Sequence, residues 1–174
     1  MEPGASIGSG TKIWHHCHIR EFADVGTNCS LGKNVFVDSE VIIGNSVKIQ
    51  NNVSVYKGVV LEDEVFVGPS AVFTNDRTPR AASSDWEVSG TLVRRGASVG
   101  ANATVIAGLT IGFWAMVGAG SVVTRDVQPH ELVVGNPARR AGWVCRSGHV
   151  VLRGDRPLTK VICEDCGARV PEDS

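Results

Sequence analysis

The chain of 174 residues is long enough for one domain with a small appendage. Its 17 Lys and Arg residues nearly balance 18 Asp and Glu residues, so the sequence predicts no basic surface for nucleic acid. No apolar stretch approaches the roughly 20 residues that span a bilayer, the N-terminal segment lacks a signal-peptide pattern, and five cysteines do not suggest a secreted disulfide framework. We therefore expect a cytoplasmic protein with neither nucleic-acid nor membrane partners.

Large apolar residues recur every six positions, starting at Ile7. Twelve of these residues, called anchors here, run without a slip to Phe73, and six more follow from Val93 to Val123. Alternation inside each hexad is typical of a strand, and a period of six over eighteen hexads indicates short strands and turns wound into a solenoid. The glycines and asparagines after the anchors are expected at turn positions with positive φ. Cys17 and Cys29 are expected at inward core positions.

The repeat is interrupted once, between Phe73 and Val93. The period would place the next anchor at position 79, so this segment holds fourteen extra residues. We assign the insertion to about residues 75–91, which include Asp76, Arg77, Pro79, Arg80, Asp85, Trp86 and Gly90. A long polar loop in a regular repeat is usually functional, although a solenoid also tolerates insertions at its corners.

The hexads resemble those of the hexapeptide-repeat acyltransferases, and this resemblance implies three hexads per coil, so that residues eighteen apart stack on one corner. Two of the three corners are rich in functional side chains. One of them carries His15, His16, Lys33, Asn34, Asn51 and Asn52. The other carries Arg20, Glu21, Tyr56, Lys57 and Asn75. The third corner has ordinary turn residues. A groove between subunits would produce this asymmetry, while polar turns alone would give a weaker version of it.

The same resemblance to the hexapeptide-repeat acyltransferases implies an all-β fold, a left-handed parallel β-helix of about six coils over residues 1–142, with one extruded loop. It also implies acetyl-coenzyme A as co-substrate and a homotrimer with active sites between neighbouring prisms. Above the loop, small residues would let a pantetheine arm lie against the wall, and arginines could pair with coenzyme A phosphates. These candidate cofactor residues are Ala107, Gly108, Ala119, Arg125, Arg139 and Arg140.

Several segments resemble one branch of that family, the bacterial 3-N-acetyltransferases acting on UDP-2-acetamido-3-amino-2,3-dideoxyglucuronate. They are residues 31–35, 47–58, 73–75, 79–81, 92–97 and 134–139, within a resemblance that covers about residues 4–143. The Gly-Asn-Pro-Ala-Arg ending is shared widely and says little about the substrate. The resemblance implies acetylation of the 3-amino group of a nucleotide-linked sugar, for cell-surface polysaccharide biosynthesis. A dTDP-3-amino-6-deoxyhexose or another small amine remains an alternative acceptor.

The chemistry of the loop independently favours an amine acceptor. A hydroxyl acceptor needs a general base, usually histidine, and no histidine occurs between Phe73 and Val93. We assign Asn75 to positioning the acceptor and a main-chain N–H at Gly108 to stabilising the oxyanion. Candidates for a uronate carboxylate or a diphosphate are Arg77, Arg80, Arg94 and Arg95. Candidates for a lower groove that holds the nucleotide are His15, His16, Arg20, Glu21, Lys33, Asn34, Asn51, Asn52, Tyr56 and Lys57.

The hexads stop after Trp143, and residues 143–174 form a tail of different composition. Cys145, His149, Cys163 and Cys166 have the spacing C-x3-H-x13-C-x2-C, which could close a small structural zinc ribbon. Related tails often carry a second cysteine near Ser147, so this set departs from that pattern.

Two other functions share the fold: a γ-class carbonic anhydrase, disfavoured because no His-x4-His pair occurs, and a non-catalytic scaffold.

Overall fold

The computed structural model describes residues 1–82 and 86–171, and within these ranges the chain forms strands and turns without a helix. Accordingly, these ranges contain no helix that is long and apolar enough to cross a membrane. The hexads form eighteen short strands: β1 Ser6–Ile7, β2 Lys12–Ile13, β3 His18–Ile19, β4 Asp24–Val25, β5 Ser30–Leu31, β6 Phe36–Val37, β7 Ile42–Ile43, β8 Lys48–Ile49, β9 Ser54–Val55, β10 Val59–Leu61, β11 Phe66–Val67, β12 Val72–Phe73, β13 Thr91–Val93, β14 Ser98–Val99, β15 Thr104–Val105, β16 Thr110–Ile111, β17 Met116–Val117 and β18 Val122–Val123. Five further strands follow: β19 Glu131–Val134, β20 Arg139–Val144, β21 Val150–Arg153, β22 Val161–Ile162 and β23 Arg169–Val170.

Every third hexad strand belongs to the same parallel sheet, so three sheets form the faces of a prism. The first sheet contains β1, β4, β7, β10, β13 and β16, the second begins with β2 and the third with β3. Partners are eighteen residues apart below the loop, as in Ile7 with Val25, and 32 apart across it, as in Leu61 with Val93. β19 pairs in parallel with β17 and begins a further turn. The predicted left-handed parallel β-helix is confirmed, with six regular coils.

The anchors point into the prism and form one continuous core. Leu31, Val37, Val67 and Val99 are all fully buried. Each strand needs only two residues, because the first side chain faces outward and the second faces the core. Cys29 is buried as predicted, and Cys17 is half-buried and packs against the same core.

Each hexad has two distinct turn positions, one directly after the anchor and one three residues after it. The prediction of positive φ is correct for the second position and wrong for the first. Positive φ occurs three residues after the anchors, as at Asn34 (59°) and Asn52 (61°), so the asparagine prediction is confirmed. The glycines directly after anchors do not adopt positive φ. At Gly32, a Cβ atom would lie 2.7 Å from the main-chain nitrogen of Asn51 on the next coil. These glycines are therefore required by the close approach of successive coils.

The C-terminal part extends the second sheet. β20 pairs antiparallel with β19 and with β21, so the predicted domain boundary at 142/143 lies inside β20 and remains a prediction. A second small apolar cluster forms around Cys145, Cys163 and Val170. The hairpin β22–β23 completes this tail.

Candidate functional site

The three corners of the prism are named here by their position and composition. The loop corner follows the third sheet, the asparagine corner follows the second sheet, and the turn corner follows the first sheet. The extruded loop leaves the loop corner after β12 and covers residues 74–90. Thr91, which was assigned to the insertion, is instead a buried residue of β13. Asp85 of this loop lies outside the described residues.

Charged side chains on the loop corner contact one another from coil to coil. Arg20 donates to Asp38 over 2.9 Å, and the other oxygen of that carboxylate accepts the main-chain N–H of Lys57 over 3.2 Å. Arg20 also pairs with Glu21 over 2.9 Å, and the Lys57 ammonium pairs with Glu40 over 2.9 Å. Three predicted substrate residues, Arg20, Glu21 and Lys57, therefore lie together below the loop.

Asn75 lies where β12 ends and the loop begins. Its side chain is half-buried, and its Nδ2 donates to the main-chain oxygen of Lys57 on the coil below over 3.3 Å. Its own main-chain oxygen accepts the N–H of Ser89 over 3.0 Å, which closes the base of the loop. None of the described residues donates to the Asn75 Oδ1. This carboxamide oxygen can therefore accept a hydrogen bond from a ligand N–H.

Ala107 and Gly108 form a wall on the coil above Asn75. The Ala107 N–H donates to the Thr74 hydroxyl over 2.9 Å, and the Gly108 N–H donates to the Thr91 hydroxyl over 3.2 Å. Neither threonine was predicted as a site residue, although Thr74 directly follows the anchor Phe73 and Thr91 lies two residues before the anchor Val93. The Gly108 N–H can serve an oxyanion only if it gives up Thr91.

The loop folds back onto this wall through Arg77. The Arg77 Nε donates to the Ala107 carbonyl over 3.1 Å, and a Cβ on Gly108 would lie 2.7 Å from the Arg77 guanidinium. Arg80 is exposed and donates to the carbonyl of Pro79 over 2.7 Å. The structure therefore brings Arg77, Asn75 and Gly108 together, three residues that the sequence analysis placed in one site.

The asparagine corner is held by bonds among its own turns. The Asn51 Oδ1 accepts the main-chain N–H of Lys33 over 2.8 Å, and Asn34 donates to Asn52 over 3.0 Å. His15, His16 and Ala119 lie on this same corner, on its first and last regular coils. Within one chain these predicted ligand residues are on a different corner from Asn75.

Arg94 and Arg95 lie on the turn corner, also away from Asn75 within one chain. Arg94 pairs with Glu62 over 2.8 Å and packs over the Phe113 ring, 5.2 Å from its centroid. Arg95 pairs with Glu64 over 2.6 Å. Both guanidinium groups already have carboxylate partners.

Two of the three arginines predicted to bind coenzyme A phosphates share a buried carboxylate. Arg125 and Arg140 approach Glu131 over 2.8 and 2.9 Å, and the Glu131 side chain is fully buried. Burial raises the pKa of Glu131, but hydrogen bonds from Arg125, from the main chain of Gln128 and from Arg140 outweigh it, so the pKa is lowered. Arg139 forms no ion pair with the described residues.

The four predicted metal ligands converge in the tail. Their ligand atoms all lie within 4.8 Å of one another. The sulfur atoms of Cys145 and Cys166 are 3.6 Å apart, and the Cys163 sulfur is 3.6 Å from the His149 Nδ1. The turn after Cys163 is closed by the Gly167 N–H donating to the Cys163 carbonyl over 2.8 Å. A main-chain hydrogen bond from Ala168 and a side-chain bond from His149 lower the pKa of Cys166 to about 6.

Two family models match the repeat. One describes the bacterial transferase hexapeptide (six repeats) and matches residues 40–75, and the other describes the hexapeptide repeat of succinyl-transferase and matches residues 89–125. A dTDP-3-amino-3,6-dideoxy-α-D-galactopyranose 3-N-acetyltransferase from Aneurinibacillus thermoaerophilus is 46% identical over 140 residues, which are 80% of this chain and 73% of that protein.

Solved structures show the same fold. A hexapeptide-repeat acetyltransferase from Vibrio cholerae, solved with acetyl-coenzyme A, is 26% identical with a TM-score of 0.54 over 77% of this chain and 70% of that chain. An N-acyltransferase from Bacillus cereus has a TM-score of 0.68 at 15% identity, over 86% of this chain and 83% of that one. The family models and the 46% identical relative identify this β-helix as an acyltransferase. The chain belongs to the hexapeptide-repeat acyltransferase family.

Proposed function

We propose that the protein transfers an acetyl group from acetyl-coenzyme A to the 3-amino group of a nucleotide-linked amino sugar. The observation that carries this proposal is the Asn75 carboxamide, which lies under the Ala107–Gly108 wall with its Oδ1 available to accept an amine N–H. The name of the relative from Aneurinibacillus thermoaerophilus, a sugar 3-N-acetyltransferase, supports the same reaction.

The reaction needs no histidine base at the loop. A neutral amine attacks the thioester carbonyl carbon, and the new C–N bond gives a tetrahedral oxyanion. As this intermediate collapses, the C–S bond breaks and the departing thiolate takes up the amine proton. His18 is three coils below Val72 in the third sheet, or about 14 Å by strand spacing. The Gly108 N–H would release the Thr91 hydroxyl and donate to the developing oxyanion instead. Main-chain N–H groups in such positions strongly stabilise the oxyanion of acyl transfer.

Two acceptors fit this chemistry. We propose a UDP-linked 3-amino uronate first, with its carboxylate or diphosphate bound by Arg77 and Arg80 of the loop. Arg94 and Arg95 could reach it only from a neighbouring prism, since they lie on the turn corner. The alternative is a dTDP-linked 3-amino-6-deoxyhexose, favoured by the name of the 46% identical relative.

The test is thiol release from acetyl-coenzyme A with each acceptor, with products identified by mass spectrometry. Turnover with UDP-2-acetamido-3-amino-2,3-dideoxyglucuronate and a gain of one acetyl group supports the uronate. Turnover with only the dTDP-linked amino sugar keeps the reaction and replaces the acceptor. No turnover with any nucleotide-linked amine contradicts the proposed function.

The proposed active site lies between subunits of a homotrimer. Ala119 and the predicted nucleotide-binding residues of the asparagine corner would then face the loop corner of a neighbouring chain. Arg139, which forms no ion pair with the described residues, is the best of the three candidates for a coenzyme A phosphate. Light scattering of the purified protein tests the trimer, and a monomer that is fully active contradicts it.

We also propose that Cys145, His149, Cys163 and Cys166 hold a structural zinc ion. With Zn–S bonds of about 2.3 Å, a tetrahedral site places its sulfur atoms about 3.8 Å apart, close to the observed 3.6 Å between Cys145 and Cys166. The ion would tie the turn between β20 and β21 to the β22–β23 hairpin. Metal analysis should find about one zinc per chain.

Cys163→Ser should lose the zinc, whereas Cys17→Ser should retain it because Cys17 lies in the β-helix. His149→Cys should also retain it, since four thiolates make an equally good zinc site. Full zinc occupancy in Cys163→Ser would contradict this assignment.

A further inference from the structure

Three aromatic side chains cluster below the loop, His18 and Phe36 on the outside of the third sheet and Tyr56 at the loop corner. The rings of His18 and Phe36 are 5.6 Å apart at an angle of 77°, and those of Phe36 and Tyr56 are 5.9 Å apart at 60°. Aromatic residues with outward positions on a prism do not contribute to its core. Their grouping therefore needs another explanation than packing of the interior.

The surroundings of Phe36 leave one face of the cluster open. Phe36 occupies the outward position of β6, with His18 below it and the small Ser54 above it in the same sheet. His18 is held from below by Glu2, whose carboxylate is 2.6 Å from its Nε2. Tyr56 is 39% exposed. A flat ring over Ser54 could thus stack on Phe36 and meet the tilted Tyr56 ring at an angle.

The cluster also lies at a useful height. Tyr56 is one coil below Thr74 and Phe36 is two coils below Val72, so Phe36 lies about 10 Å below the level of Asn75 by strand spacing. In a nucleotide-linked sugar, the remaining sugar ring, a diphosphate and a ribose separate the reacting amine from the base. With the amine at Asn75, the base belongs on the lower coils, alongside the charged groups of the loop corner.

We infer that Phe36 and Tyr56 form a stacking platform for the nucleobase of the acceptor. This inference rests on the proposed function and assigns the acceptor's nucleobase to Phe36 on the third sheet and Tyr56 at the loop corner, both below Asn75. Aromatic side chains bind bases by stacking and tolerate different bases, because every base presents a π face. Such a platform contributes to binding the acceptor and not to the chemical step.

The test compares Phe36→Ala with wild type in the acetyl transfer assay. Loss of one stacking contact should raise the KM of the nucleotide-linked acceptor about five- to 150-fold, with kcat within about twofold and the KM of acetyl-coenzyme A unchanged. Phe36→Tyr should restore a near wild-type KM. The matched control is Phe66→Ala, which removes an equally outward phenylalanine from the second sheet and should change neither KM.

Two further measurements separate this inference from its alternatives. A 3-amino sugar 1-phosphate, which has no base, should show the same KM with wild type and with Phe36→Ala. Titration with UDP and with dTDP, which needs no turnover, should show weaker binding to Phe36→Ala.

Wild-type turnover with an unchanged acceptor KM in Phe36→Ala would overturn the platform and leave the proposed function intact. An equal KM rise with the acceptor that has no base would also overturn it. Should Phe36→Ala prove unstable in a thermal melt, Phe36→Leu keeps an apolar side chain without a ring and should still raise the KM. Absence of wild-type turnover with every nucleotide-linked amine would contradict the proposed function, and the UDP and dTDP titrations would still decide the platform.

Discussion

The loop corner and the asparagine corner are built from the same hexads, yet their side chains do different things. Glycine directly follows four of the six anchors at the asparagine corner and none of the six at the loop corner. At the first corner the coils approach so closely that most coils have no side chain at that position. At the loop corner, the residue directly after the anchor has a side chain on every coil, and these side chains reach one another and the loop.

One residue type illustrates the difference. Asn51 points its Oδ1 at the Lys33 N–H and so supports the main chain, as Asn45 does for Thr27 on the turn corner. Asn75 instead donates its Nδ2 to Lys57, and none of the described residues donates to its Oδ1. Asn51 therefore uses its acceptor oxygen on the neighbouring coil, whereas Asn75 uses its donor nitrogen there and keeps its acceptor oxygen for a ligand.

The largest effect is expected for Asn75→Ala. Removal of one group that binds the reacting atoms typically lowers kcat by about 10²- to 10³-fold. The thermal midpoint should stay close to that of wild type, because the side chain makes a single 3.3 Å bond to Lys57. Steady-state kinetics with a melting curve check both, and an unchanged kcat would remove Asn75 from the mechanism.

Above the loop, the ion pairs of Glu131 with Arg125 and Arg140 are expected to stabilise the fold, in contrast to the catalytic role proposed for Asn75. Glu131→Gln should lower the free energy of unfolding at neutral pH by about 3 kcal/mol. We take the lower end of the range for breaking a buried ion pair, because the Arg125 side chain is partly exposed. Since the pKa of Glu131 is lowered from its ordinary 4.5, its contribution is present above that pH and is lost as the pH falls through the folded-state value.

Denaturant melts between pH 3 and pH 7 check this. Wild type should lose stability on acidification more steeply than Glu131→Gln does. Parallel profiles for the two proteins would contradict the role of the buried carboxylate.

A smaller effect is expected where glycine brings two coils together. Gly32→Ala would place a methyl group 2.7 Å from the Asn51 nitrogen, and overpacking of this kind lowers the free energy of unfolding by about 1–3 kcal/mol. Gln50→Ala is the control, since the same position one coil higher already carries a side chain. Equal stability of the two variants in urea melts would show that the coils can separate freely.

The smallest effect is expected for Asn51→Ala. Loss of its bond to Lys33 should lower the free energy of unfolding by about 1 kcal/mol, as should Asn45→Ala on the turn corner. The acceptor KM should stay the same in Asn45→Ala, because Asn45 is not among the predicted binding residues. A KM increase in Asn51→Ala alone would instead support the predicted binding role of the asparagine corner.

Much of this molecule was predictable because its repeat is strict. The inward position of Leu31 or Val67 and the departure of the loop after Phe73 follow from the period. The stacking of residues eighteen apart follows once the family resemblance sets three hexads per coil. The grouping of Arg20, Lys57 and Asn75 follows from the same arithmetic. Even the placement of Arg94 and Arg95 on another corner was available from the anchor at Val93, although both were predicted to bind the same substrate groups as Arg77 and Arg80 of the loop.

The sequence by itself determined the strands, the turns and the inward anchors, since these follow from a period of six, and its resemblance to a known family implied three strands per coil and the left hand. Only the tertiary structure decided which polar side chains are engaged: Asn51 by Lys33, Arg125 and Arg140 by Glu131, and the Gly108 N–H by Thr91. The physical reason is that hydrogen bonds depend on distances of a few tenths of an ångström between neighbouring coils. A repeat pattern fixes which residues are neighbours but not which atoms of those neighbours meet.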